Sequence, residues 1–120
     1  MMENNSEFVE GEIVFREIIS PFSEGTGYVF LEEVSRADAP SQEIARVVIR
    51  GLAQDRDHSC PVPFRIVHPP LGTYERYIIS VLIDVDGDGR ISRGDYITME
   101  SFPVVPHHHE RLRIYVQWVA

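Results

Sequence analysis

With 120 residues and a formal net charge of −8, the chain has the size of one compact domain and the wrong charge for nucleic acid or anionic membrane surfaces, whose partners neutralise phosphates. A charged fraction of 25% and an apolar fraction of 43% exclude wholesale disorder. The single cysteine, Cys60, excludes an internal disulfide, and the longest strongly apolar run, YIISVLI, is too short to cross a bilayer.

The N-terminal stretch MMENNSE is polar, and residues 1–7 are expected to be loose, ahead of a single domain over 8–120. No basic region followed by an apolar run is visible there, so no secretory signal is read and a cytoplasmic setting is expected. A periplasmic or lipid-anchored setting would require a leader trimmed from the parent chain. All eleven basic residues are Arg, most simply a compositional bias of the source genome.

From residue 8 onward the pattern is strand-like, because apolar residues recur at period two and β-branched residues are frequent. FVEGEIVFREII (8–19) places Val9, Gly11, Ile13 and Phe15 on one apolar face. GYVFLEEV (27–34) follows, closed by the turn SRADAPS, where Asp38 can form an Asx-turn and Pro40 removes a ladder donor. EIARVVIRGL (43–52) alternates Ile44, Arg46, Val48 and Arg50 against Ala45, Val47 and Ile49. PVPFRIVH (61–68), with two prolines, reads as an edge strand.

ERYIISVLIDV (75–85) is the clearest strand, with Tyr77, Ile79, Val81 and Ile83 facing one way and Ile78, Ser80 and Leu82 the other. YITMESFPVV (96–105) and RLRIYVQWV (111–119) complete the set. Seven short strands and no helical period predict an all-β, seven-stranded antiparallel β-sandwich of the transthyretin or immunoglobulin kind.

Between ERYIISVLIDV and YITMESFPVV lies DVDGDGRISRGD, residues 84–95. Calcium takes six to eight hard oxygens, and a twelve-residue EF-hand loop supplies them from positions 1, 3, 5, 7, 9 and 12, with Gly at 6 for the sharp turn. Counted from Asp84, those positions hold Asp84, Asp86, Asp88, the Arg90 carbonyl, Ser92 and Asp95, with Gly89 at 6 and Ile91 at 8 as an apolar anchor. Three aspartates within five residues repel one another unless a cation lies between them. Asp95 in place of Glu, and the nearby Arg90 and Arg93, predict a modest affinity, roughly 10⁻⁶ to 10⁻³ M. The loop follows a strand and not a helix, so a static brace between strands is expected. The plainer reading is a connection whose Asp-Gly pairs supply tight turns.

Other clusters are weaker. His107 and His109 share a face of an extended chain and could bind zinc or nickel, but a site needs further ligands from elsewhere, and an exposed turn after Pro106 explains them without a metal. His58 and Cys60 lack a third partner and an oxyanion device. Glu32 and Glu33 point to opposite faces and cannot flank a substrate. Trp118, Phe15, Phe30, Phe64 and Tyr115 read as core or sheet-face residues. No residue set has matched catalytic roles, so no enzyme is expected.

GEIVFRE, LEEVSRADAPS, IARVVIRG and PVPFRI together resemble the YbaY/YscW-type lipoprotein domain, over roughly residues 9–119, with VSRADAP as the most specific element. The resemblance implies a small β-sandwich and, through the family's pilotin members, which assist secretins of type III secretion, a protein or peptide partner. Those members carry a leader and a lipidated N-terminal Cys that this sequence lacks. Two expectations result: a non-catalytic domain braced by Ca²⁺, and a pilotin- or chaperone-like module with no nucleic-acid partner and no membrane insertion.

Overall fold

Alternating burial writes the strands into the computed structural model, which describes residues 7–35, 38–57, 59–105 and 111–120. The first strand, β1 (Glu7–Phe15), buries Val9, Gly11, Ile13 and Phe15 and leaves Phe8, Glu10, Glu12 and Val14 on the other face. It stops four residues before the expected end. The connection that follows is held from outside, since Tyr96 Oη donates to the Ser20 carbonyl at 3.1 Å and Arg56 donates to that of Ile19.

The second strand, β2 (Phe22–Glu33), begins five residues earlier than the sequence pattern suggests. Its pairing with β3 (Gln42–Gln54) shifts register around Gly25, where Glu24 adopts φ 61°. The glycine, which lies just ahead of the expected strand start at Gly27, is here part of a bulge. Then come β4 (Val62–His68), β5 (Tyr77–Asp84), β6 (Tyr96–Ile97), β7 (Pro103–Val104) and β8 (Leu112–Trp118). The segment 96–105 splits because Thr98 turns its hydroxyl to the Val81 amide, at 3.2 Å, in place of a regular ladder bond, and because Pro103 brings no donor.

The order β3-β2-β5-β6-β8-β1-β4, with β7 paired to β5, makes one eight-stranded sheet. It is all-β, as expected, and nearly closed into a barrel, with β3 and β4 as its two edges. Here the expected arrangement of seven antiparallel strands in two sheets gives way to a shared strand. Strand β8 pairs antiparallel with β6 and parallel with β1, with Ile13 opposite Ile114, so the two halves are one surface. The expected edge position of PVPFRIVH is observed: β4 pairs only with β1 among the described residues.

Side chains pointing inward from both halves fill the core. Ile13, Val29, Leu31, Ile79, Ile83, Tyr96, Ile114 and Val116 are wholly buried, each worth roughly 1.5–3 kcal/mol in transfer free energy for an aliphatic or aromatic side chain. Phe15, Phe22 and Tyr96 form an aromatic trio at one end, with centroids 5.2 to 5.9 Å apart. No helix among the described residues is long and apolar enough to cross a membrane.

Candidate functional site

Strand β5 delivers Asp84 to the mouth of the 84–95 loop, and the short β6 begins immediately after Asp95. Both residues are buried, Asp84 at 2% and Asp95 at 0% exposure, whereas Asp86 and Asp88 are exposed. The chain folds back over the first carboxylate. Gly87 and Gly89 donate their amides to Asp84 Oδ1 and Oδ2 at 3.0 and 2.8 Å, and both glycines take positive φ, 78° and 74°, which a side chain would resist.

The other ligand positions converge on the same place. Asp95 accepts the amides of Val85 and Ser92, both at 2.9 Å. The Ser92 hydroxyl lies 2.9 Å from Asp86 Oδ2 and 3.1 Å from Asp95 Oδ2. Asp88 accepts the Arg90 amide at 2.9 Å. One carboxylate oxygen from each of Asp84, Asp86, Asp88 and Asp95 lies within 4.8 Å of the others. The structure thus gathers the four aspartates and Ser92; Arg90 enters through its amide.

Electrostatics separates the members. Burial pushes the Asp84 carboxyl above its ordinary value, against the lowering effect of the Gly89 and Gly87 amides. The Ser92 hydroxyl, followed by Asp84, holds Asp86 below its ordinary value. No salt bridge between described residues reaches any of the four aspartates. Ile91 departs from its expected role: it is 61% exposed and anchors nothing in the core.

The other sequence-level candidates fare differently. The His107–His109 cluster and His58 lie outside the described residues. Cys60 is exposed, and its backbone is bracketed by the buried Gln54 side chain, whose amide gives a bond of 2.8 Å to the Cys60 carbonyl and takes one of 2.9 Å from its amide. Phe15 and Phe64 are core, Trp118 packs against the core, and Phe30 and Tyr115 lie on outer sheet faces beneath Arg46 and Arg16. The sequence reading missed Gln54 as a loop bracket. It also gave no role to the second apolar face of β2 and β5, although YVFL and YIISVLI are apolar at both parities, the signal of a strand covered on both sides.

Fold and site together define a small all-β domain, built on one nearly closed sheet, with an acidic loop at one end. The same fold occurs in a solved structure described as an alternative pilotin from the type II secretion system of Vibrio cholerae, which aligns with a TM-score of 0.74 over 96% of this chain and 98% of that one, at 24% identity. The fold is therefore pilotin-like. No family model matches the chain, and no curated protein matches it.

Proposed function

We propose that this protein is a non-catalytic, pilotin-like module that binds a protein partner. The observation that carries the reading is the end-to-end likeness to the Vibrio cholerae pilotin, which leaves almost no part of either chain unmatched. The sequence resemblance to YbaY/YscW-type lipoprotein domains, carried by GEIVFRE, LEEVSRADAPS, IARVVIRG and PVPFRI, points the same way. The test is affinity capture from the native lysate with chemical cross-linking, scored by stoichiometry. A partner recovered near one-to-one supports the reading; recovery of the protein alone under cross-linking refutes it.

A second reading concerns the loop, and its support is the gathering of four carboxylates, two of them buried, with no cationic side chain paired to them among the described residues. On this reading Ca²⁺ is held by Asp84, Asp86, Asp88, the Arg90 carbonyl, Asp95 and, through water, Ser92. It braces β5 against β6. Binding to the folded state alone raises stability by about 2.7 kcal/mol at a hundredfold excess over the dissociation constant. Melting curves in millimolar calcium and in chelator test it, and superimposable curves would end the idea. The two readings are compatible, since a brace at one end of the sheet can stiffen a surface used for binding.

A further inference from the structure

The sheet stops short of a closed barrel at β3 and β4, and the two edges are not equivalent. Strand β4 is 7 residues long and carries Pro63, which has no N–H to offer a neighbour. Strand β3 is 13 residues long, contains no proline, and pairs only with β2 among the described residues. From Ala45 to Ile49, opposite Leu31 to Gly27, that pairing is regular, and the register shifts on either side of it. Every second residue of this stretch therefore turns its N–H and C=O away from β2, with no ladder partner among the described residues.

The core-facing side chains of the same stretch show what is missing beside it. Val29 and Leu31, directly opposite Val47 and Ala45, are wholly buried, and on β4 Phe64 and Ile66 are buried as well. Around the barrel β3 lies between them, yet Ala45, Val47 and Ile49 are only partly buried. A neighbouring strand with apolar side chains at alternate positions covers such a row. At one end the gap is already bridged in a strand-like way. There the Gln54 side chain gives a bond of 2.8 Å to the Cys60 carbonyl and takes one of 2.9 Å from the Cys60 amide, just ahead of β4.

We infer that the β3 edge from Ala45 to Ile49 is the docking site for an extended polypeptide segment with apolar side chains at alternate positions, added as one further strand; this rests on the protein-binding reading above. Backbone and not charge selects this occupant. Arg46 is held by Glu43 through bonds of 2.8 and 2.7 Å and Arg50 is exposed, so the outward side of β3 carries both signs. Unpaired N–H and C=O groups in ladder spacing are matched only by another extended backbone. The next ladder position beyond β3 lies on the side of β4. A second copy pairing through its own β3 would carry its β2 into that place, whereas a single separate strand meets β4 as its other neighbour.

The experiment combines calorimetric titration and hydrogen exchange of the full chain with a synthetic peptide of about nine residues, roughly 30 Å when extended. Val and Thr alternate in it, and each Thr is N-methylated, so that one edge keeps its N–H groups and the other cannot propagate a fibril ladder. The second probe has the same side chains and is N-methylated at every residue. We expect the first peptide to bind and the second to bind about tenfold more weakly or worse. On binding, amide exchange within Ala45–Ile49 should slow by about tenfold or more. The amides of Val29 and Leu31, on a strand paired on both sides, should change little.

Failure of the first peptide to bind overturns the proposal. So does equal binding of the two peptides, which would place the contact in side chains, and so does binding that leaves exchange within Ala45–Ile49 unchanged. If the chain alone self-associates in sedimentation and these amides slow with its concentration, the occupant is a second copy and the proposal is overturned. A stoichiometric cellular partner that leaves these amides exchanging as in the free chain also removes this edge as the docking site, yet keeps the protein-binding reading intact; absence of any partner removes that reading itself.

Discussion

Gly11 lies against Leu112 so closely that a Cβ on Gly11 would stand 2.3 Å from the Leu112 carbonyl oxygen. This contact sits where β1 and β8 run parallel, with Gly11 opposite Leu112, and that pairing joins the two halves of the sheet. The obstacle is backbone, which cannot rotate aside. Gly11→Ala must therefore push the two strands apart, and the expected cost is about 1–3 kcal/mol, the usual range for overpacking. Urea unfolding measures it; a midpoint equal to wild type would show that the strands separate freely.

Tyr96 combines complete burial with a bond of 3.1 Å from its hydroxyl to the Ser20 carbonyl, on the connection between β1 and β2. Removing only the hydroxyl keeps the aromatic trio but leaves that carbonyl without this donor. Tyr96→Phe is expected to cost about 1–2 kcal/mol. Protection of amides near Ser20 from hydrogen exchange should fall more than protection in β5, because the loss is local to the connection.

Much of the architecture was legible from alternation alone, and the reasons are visible in single strands. Tyr77, Ile79, Val81 and Ile83 alternate without interruption, and all four are buried. Two prolines marked β4 as an edge, because a missing donor is tolerated only there. The parallel pairing of β1 with β8 was not legible, since register between strands a hundred residues apart leaves no local trace. Nor was the bulge at Gly25, where a breaker and a bulge carry the same residue. In the loop, spacing was enough to bring four aspartates and Ser92 together, because Asp-Gly turns fold locally. The exposure of Ile91 was not readable, because it depends on which way the loop lies on the sheet.

Asp84 supplies a pH signature. Burial raises its folded value above that of an unfolded chain, so the folded state holds the proton more tightly. The resulting stability is fully present below about pH 4, the ordinary aspartate value, and is lost as pH rises through the raised value. In ion-free buffer, the unfolding free energy of wild type relative to Asp84→Asn should fall as pH rises above about 4, the ordinary aspartate value. A constant offset from the altered bond to Gly89 leaves that slope untouched. Chemical denaturation across the pH range measures it, and a flat or rising difference contradicts the assignment.

Asp88 and Ile91 separate a calcium site from a mere turn. Asp88 is exposed and, among the described residues, accepts the Arg90 amide at 2.9 Å, so the ion-free fold gains little from its charge, while a bound cation would take its carboxylate directly. Ile91 is exposed and three residues further on, and it offers an ion nothing but backbone. Asp88→Asn is therefore expected to weaken calcium binding by about tenfold or more, within the range over which ligand charge tunes such loops, while changing ion-free melting little. Ile91→Ala should change neither. Calorimetric calcium titration of the three proteins tests this. If the variants bind alike, the carboxylate does not reach an ion and the loop is a turn. If Asp88→Asn instead melts several degrees lower without calcium, the aspartate serves the fold itself, and the cluster has a structural cause that needs no ion.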